Sequence, residues 1–196
     1  TPRNEAAAIF ARLLAEKNGD TISTAANTKF ADIPAHAWYS GYVKYLSNNG
    51  ITYGKSKTVF APNDAITRAE FTTMAVRFFE VYGDGDAEIM EQFSGFNDVS
   101  SGYWAAEYIK YAALHGWING YGDGSFHAER EINRAEVVTI VNRLLGREAD
   151  EDYIADNLRK LNTFPDVSRK HWAYYAVMEA ANAHTAVLGE SESWSK

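Results

Sequence analysis

Apolar side chains recur along this chain with the three-to-four-residue spacing of amphipathic helices. One such stretch spans residues 3–16, and its apolar positions are Ala7, Phe10, Leu13 and Leu14. Three more stretches each open with a tryptophan: Trp38 with Tyr42, Tyr45 and Leu46; Trp104 with Tyr108, Ile109 and Ala112; and Trp172 with Ala176, Val177 and Ala180. The pattern predicts a mainly α-helical protein. Charged stretches at residues 84–93 and 148–161 predict short surface helices.

An arginine motif predicts further helices. Residues 64–71 read DAITRAEF, residues 131–137 read EINRAEV, and residues 1–6 carry the altered copy TPRNEA. In the first two copies a polar residue precedes a glutamate by three positions, which is the spacing of a capping box at a helix start. These pairs are Thr67 with Glu70 and Asn133 with Glu136. In the third copy, Pro2 is expected at the first helical position, where its missing N–H costs nothing.

The arginines of this motif, Arg3, Arg68 and Arg134, fall in the first helical turn, where the helix dipole disfavours a cation by roughly 0.3–1 kcal/mol. An internal carboxylate partner would offset that cost, and so would an anionic ligand held by a bidentate guanidinium. Both interpretations remain open, and they can coexist. If the arginines exist for a ligand, Arg68→Gln and Arg134→Gln should leave stability near that of the wild type.

Each tryptophan helix follows a Phe-x-Asp element, at residues 30–32, 96–98 and 164–166. The Phe-to-Phe spacings are 66 and 68 residues, which identifies a long internal repeat. The aspartates of this element, Asp32, Asp98 and Asp166, are predicted to cap the following helix, with sugar-hydroxyl binding or an arginine partner as the alternative. The tryptophans, Trp38, Trp104 and Trp172, have two interpretations, packing in the core or stacking on a sugar ring.

Two of the repeats continue into a glycine loop that leads to the next arginine motif. Gly54 and Gly120 stand at matching positions, six residues before Phe60 and Phe126, and are expected to supply a positive-φ corner or a close backbone approach. The third repeat lacks such a loop, while the N-terminal arginine helix lacks an upstream half. The predicted divisions are therefore 30–95 and 96–163 as repeats, with 1–29 and 164–196 completing a third repeat between them.

Composition narrows the classes of function. The 196 residues are 46% hydrophobic, carry a net charge of −7 and include no cysteine, so a packed core is expected and thiolate metal sites are excluded. An acidic balance argues against nucleic acid as a partner, and no apolar run predicts membrane insertion. The five histidines are scattered, and no nucleophile elbow or nucleotide-binding loop occurs. We therefore expect no metal, no cofactor and no enzymatic activity.

The order and spacing of these motifs resemble the S-layer homology family over residues 1–14, 30–79, 96–145 and 164–184. The resemblance implies three helix-loop-helix units in a pseudo-threefold arrangement, the third completed by both chain ends. It also implies an extracellular, non-catalytic module of a longer polypeptide that anchors a surface protein to the bacterial cell wall. In that family the grooves between units bind a secondary cell-wall polysaccharide, often one that carries a pyruvate ketal.

Residue chemistry and resemblance together predict a binding site for an anionic wall glycan or a peptidoglycan-linked polymer. The candidate ligand contacts are Arg3, Arg68, Arg134, Asp32, Asp98, Asp166, Trp38, Trp104, Trp172, Gly54 and Gly120. One alternative is a protein-interaction scaffold for surface assembly, in which arginines and acids pair internally. Another is an accessory domain of a wall hydrolase.

Overall fold

The computed structural model describes residues 1–83, 93–187 and 193–195 and is mainly helical, as predicted. The helices are α1 (Arg3–Asn18), α2 (Ser40–Asn48), α3 (Arg68–Tyr82), α4 (Ala106–Leu114), α5 (Arg134–Leu144), α6 (Glu151–Asn157) and α7 (Tyr174–Ala181). A 3-10 turn, Leu158–Lys160, follows α6, and strands β1 (Thr185–Val187) and β2 (Ser193–Ser195) pair antiparallel. The chain divides into two compact units, Thr1–Ile132 and Asn133–Lys196.

Both predicted capping boxes are present. The Glu70 backbone N–H donates to Thr67 Oγ1 at 3.2 Å, and the Thr67 N–H donates to the Glu70 carboxylate at 3.1 Å. The same exchange joins Asn133 and Glu136 at the start of α5. Pro2 departs from the prediction, because it is the extended residue before α1 rather than its first helical residue.

The segments before the arginine helices are joined in a closed ring of backbone hydrogen bonds. The Ile66 N–H donates to Thr1 O at 2.9 Å, and the Ile132 N–H donates to Ile66 O at 3.0 Å. The Thr1 nitrogen donates to Ile132 O at 3.1 Å, which closes the ring. Both isoleucines are fully buried, so this part of the ring lies in the interior of the first unit.

In the first unit, each arginine helix packs on the next tryptophan helix along the chain, α1 on α2 and α3 on α4, and α1 also packs on α3. Phe10 of α1 lies 5.3 Å from the Phe71 ring and 5.0 Å from the Phe78 ring of α3. Phe10 and Leu14 are buried, whereas Leu13 is only partly so. The apolar face of α1 is thus covered by α2 and α3, and completion of a third repeat by both chain ends stays a prediction.

The second unit packs α5 on α7, with the Asn142 amide donating to Ala176 O at 2.9 Å. The predicted charged helix within 148–161 is confirmed as α6, whereas the one predicted at 84–93 falls almost wholly outside the described residues. A small core is made by Ile154, Tyr174, Met178 and Trp194. Asp150 connects these parts, because its carboxylate caps α6 at the Tyr153 N–H and also accepts from the Trp194 N–H.

None of the helices in the described ranges combines the length and the apolar character that crossing a bilayer requires.

His115, at the end of α4, is enclosed by aromatic rings. Its ring centroid lies 4.1 Å from that of Tyr111 and 5.0 Å from that of Trp117. Both ring nitrogens are buried and make no hydrogen bond within the described residues. Burial therefore lowers the pKa of His115 below its usual 6.5, because the charged form would lose its hydration.

We expect this histidine to destabilise the fold in acid. Because its pKa is lower in the folded state, the unfolded state binds the proton first, and the free energy of unfolding falls as pH drops below about 6.5. Urea denaturation at about pH 7 and about pH 5 should show a smaller acid loss for His115→Phe than for wild type. His36→Gln, at an exposed position, is the control and should keep the wild-type loss. Equal losses in wild type and His115→Phe would contradict the prediction.

Candidate functional site

Arg3 holds the glycine loop of the first repeat. Its side chain is only 4% exposed, and its Nε donates to Phe60 O at 2.8 Å. Its Nη1 pairs with Glu70 Oε1 at 2.9 Å, and the guanidinium lies over the Phe60 ring, 5.1 Å from the centroid. The carboxylate partner that the sequence left open is therefore Glu70, which also caps α3.

Arg68 holds the second loop in the same way. Its Nε donates to Phe126 O at 2.8 Å and its Nη2 to Asn119 O at 3.2 Å, while the guanidinium lies 4.5 Å from the Phe126 ring centroid. Arg68 is 5% exposed, whereas Arg134, the arginine at the start of α5, is exposed. Arg3 and Arg68 are thus structural braces, and a ligand contact for either stays a prediction.

The first backbone N–H groups of these helices also bind the following loop. In α1, Arg3 N donates to Asp64 O and Asn4 N to Pro62 O, both at 3.0 Å. In α3, Arg68 N donates to Arg130 O and Ala69 N to Ala128 O, at 2.9 and 3.0 Å. These amides at the starts of α1 and α3 are therefore not open to an anion, because carbonyl groups already accept their hydrogens.

The aspartates accept hydrogen bonds from backbone N–H groups at the end of each loop. Asp32 accepts from the Phe60 and Ala61 N–H groups, and Asp98 accepts from Phe126 and His127. Burial opposes ionisation of Asp98, but these N–H donors outweigh it and lower its pKa.

The predicted capping role of these aspartates is wrong. No side chain caps α2 or α4, because Asp32 and Asp98 reach residues 28 and 29 positions away instead. Ala61 and His127, whose N–H groups donate to the carboxylates, have φ angles of 57° and 55°, in the left-handed region that disfavours a side chain. Asp166 is exposed.

The two glycines make room for the phenylalanine of their own repeat. A Cβ on Gly54 would lie 2.5 Å from Phe30 Cε1 and 2.5 Å from Val59 O, and one on Gly120 would lie 2.5 Å from Phe96 Cε1. Gly54 also has a positive φ of 80°. The predicted close approach is confirmed at both positions, and the positive φ at Gly54.

The interpretation of the three tryptophans as core residues is wrong. Trp38, Trp104 and Trp172 are 50%, 56% and 64% exposed. Each stands just before its helix rather than on the face that packs against the arginine helix. An exposed indole provides the flat apolar surface on which a sugar ring stacks.

Three of the predicted ligand contacts line one cleft of about 80 Å³ in the first unit: Arg3, Gly54 and Trp104. Its other walls are Ile51, Thr52, Tyr53, Glu70, Thr73, Met74 and Arg77. The cleft thus joins the first loop, helix α3 and the tryptophan that precedes α4. Trp172, Arg134 and Asp166 lie in the second unit, and all three are exposed.

Arg77 was missed by the sequence reasoning. Its Nε and Nη2 both donate to Tyr108 OH, at 3.2 and 3.0 Å, and its guanidinium lies 4.7 Å from the Tyr53 ring centroid. Arg12 makes a similar contact with Tyr42 in the preceding helix pair. Arg12, Arg77 and Arg143 each follow the motif arginine by nine residues, so the internal repeat carried a signal for this position.

Within the described ranges, no group of three or more His, Cys, Asp or Glu side chains lies close enough to hold a metal ion.

Comparison with known proteins adds a family match and several relatives. The S-layer homology domain family matches residues 29–72 and 95–138. The chain is 32% identical to cell surface glycoprotein 1 of Acetivibrio thermocellus over 97% of this chain and 8% of that protein. It is 30% identical to a cellulosome-anchoring protein of the same species over 96% of this chain and 40% of that protein. It is 33% identical to a surface-layer 125 kDa protein of Lysinibacillus sphaericus over 73% of this chain and 12% of that protein.

Two glycines of the second loop, Gly120 and Gly122, allow a test of whether Gly120 is needed for close packing. Gly120→Ala should destabilise the protein by about 1–3 kcal/mol, because the added methyl group meets the Phe96 ring and Ser125 O. Gly122→Ala is the matched control, since a methyl group added there would have no other atom within 4 Å, and it should change stability by no more than about 0.5 kcal/mol. Urea denaturation measures both, and equal effects would refute the packing role of Gly120.

The sequence predicts that replacing Arg68 leaves stability near that of the wild type if the arginine exists for a ligand. Because Arg68 is buried and hydrogen-bonded, we now expect its replacement to destabilise the fold. Arg68→Gln should cost about 2 kcal/mol or more of stability, because Phe126 O loses its charged donor in a buried setting. Arg134→Gln should change stability by about 0.5 kcal/mol or less, because that side chain is exposed. Thermal and urea denaturation of the two variants provide the comparison. A stable Arg68→Gln protein would show that the brace is dispensable.

Proposed function

The chain belongs to the S-layer homology domain family, and we propose that it anchors a surface protein to the bacterial cell wall by binding a pyruvylated wall polysaccharide. Members of this family are extracellular and associated with the cell wall. The chain spans 8%, 40% and 12% of the lengths of the three relatives described above. The activity of the whole protein is therefore part of the proposal. The name of the cellulosome-anchoring relative supports an anchoring role.

The cleft in the first unit is the observation that carries the proposal. It combines a guanidinium, the buried Thr73 hydroxyl and the exposed ring of Trp104. A pyruvate ketal places a carboxylate on a sugar, and these groups match its two parts, a charged end and an apolar ring face. The volume of about 80 Å³ suits the small acid group, with the sugar ring lying outside against Trp104.

Net charge restricts the kind of anion. At −7 the protein repels a dense polyanion, so recognition of single, spaced carboxylates is favoured over recognition of a phosphate polymer. Binding should therefore weaken only moderately with added salt.

A second candidate function is a protein-interaction scaffold for assembly of surface proteins. The internal hydrogen bonds of Arg3 and Arg68 favour it, because two of the three predicted glycan-binding arginines donate to carbonyl groups of the fold. In that case the exposed tryptophans would contact protein rather than sugar.

Sedimentation with purified wall polysaccharide, before and after acid removal of its pyruvate, tests the proposal. We expect removal to weaken binding at least about tenfold, as for loss of a charge-assisted bidentate pair. Trp104→Ala should weaken binding several-fold through lost stacking, on the order of 0.5–1.5 kcal/mol. Tyr175→Ala, at an exposed aromatic residue of the second unit, is the control and should bind as wild type. Undiminished binding to the depyruvylated polymer would refute carboxylate recognition, and failure to bind either polymer would favour the scaffold.

A further inference from the structure

We propose that Arg77, and not the arginine that opens a helix, is the residue that pairs with the carboxylate of the wall glycan. The inference rests on the proposed function and concerns the same cleft. Its starting point is the difference between the two guanidinium groups that line that cleft, Arg3 and Arg77.

The charge of Arg3 is already compensated. Glu70 lies 2.9 Å from its Nη1, and Phe60 O accepts from its Nε. A ligand carboxylate at Arg3 would therefore meet Glu70 as a neighbouring like charge, which disfavours binding. Arg3 shapes the wall of the cleft but has little net charge to offer.

Arg77 is compensated by no acid. Its partners are the Tyr108 hydroxyl and the rings of Tyr53 and Tyr108, with no carboxylate within 4.0 Å among the described residues. Two of its five N–H donors point to Tyr108, which leaves donors for a bidentate contact with a carboxylate. The two tyrosines also hold the planar group in one orientation, so little rotational freedom is lost on binding.

A second polar residue, Thr73, lines the same cleft. Thr73 lies one helical turn before Arg77 on α3, and both side chains line the cleft. Thr73 is 3% exposed, and its Oγ1 has no hydrogen-bond partner within the described residues. A buried hydroxyl without an acceptor is unfavourable, and a carboxylate bound at Arg77 would accept its hydrogen.

The surroundings orient the rest of the ligand. Tyr53 and Trp104, at 55% and 56% exposure, form the rim of the cleft on the first loop and before α4. A sugar that carries its acid group into the cleft would therefore lay its ring against one of these two aromatic side chains.

The test uses a defined probe, a pyruvate-ketal hexoside and its methyl ester, with binding measured by calorimetry. Wild type should bind the acid at least about tenfold more tightly than the ester. Arg77→Gln should lose that preference by weakening the acid at least about tenfold while leaving the ester within about twofold. Arg12→Gln is the matched control, because Arg12 makes the same tyrosine contact without lining the cleft, and it should bind as wild type.

Two further variants separate binding from folding. Arg77→Lys keeps a charge on a long side chain but not the planar fork, so it should also weaken the acid selectively. Thr73→Val removes the hydroxyl at nearly constant volume and should weaken the acid several-fold without lowering the melting temperature.

If Arg77→Gln and Arg77→Lys keep the wild-type preference for the acid, another cation binds the carboxylate and the inference fails while the proposed function stands. If wild type binds acid and ester equally, or binds neither, the proposed function itself fails and the assignment of Arg77 fails with it.

Discussion

The ring of hydrogen bonds among Thr1, Ile66 and Ile132 is the constraint on which the rest of the first unit depends. It joins chain segments that are 65 or more residues apart, and each segment leads within two residues into an arginine helix. The backbone groups of the buried Ile66 and Ile132 are paired within this ring, so a slip in register would leave polar groups unpaired in the interior. The positions at which these helices start are thereby fixed.

Each glycine loop is held by three residues of the repeated motifs, an arginine, an aspartate and a glycine. Arginine donates to the carbonyl of the loop phenylalanine, aspartate accepts from the N–H of that same residue, and glycine admits the phenylalanine that precedes the aspartate. The motif therefore holds a glycine loop in the same way in two repeats. The loop of the first repeat also lines the cleft. In the second unit, Arg134, Asp166 and Phe164 are exposed.

The two arginines that line the cleft have different surroundings. Arg3, paired with Glu70, holds the loop that presents Tyr53, and Arg77 carries the charge that faces the cleft without an acidic partner. The proposed binding of an isolated carboxylate is compatible with an acidic protein, because one cation without an acidic partner in a confined site acts over a short range despite the net charge of −7.

Local sequence patterns were enough for features whose partners lie a few residues apart. The repeat, the helical spacing and both capping boxes could be predicted because the interacting residues lie within one or two turns, as Thr67 and Glu70 do. Long-range contacts could be seen only in the folded chain. Asp32 looked like a cap, yet its partners lie 28 and 29 residues away, and Arg3 finds Phe60 across 57 residues. The repeat marks the position of Arg77, but its contacts with Tyr53 and Tyr108, like the exposure of Trp104, depend on how helices and loops pack and form only when distant segments meet.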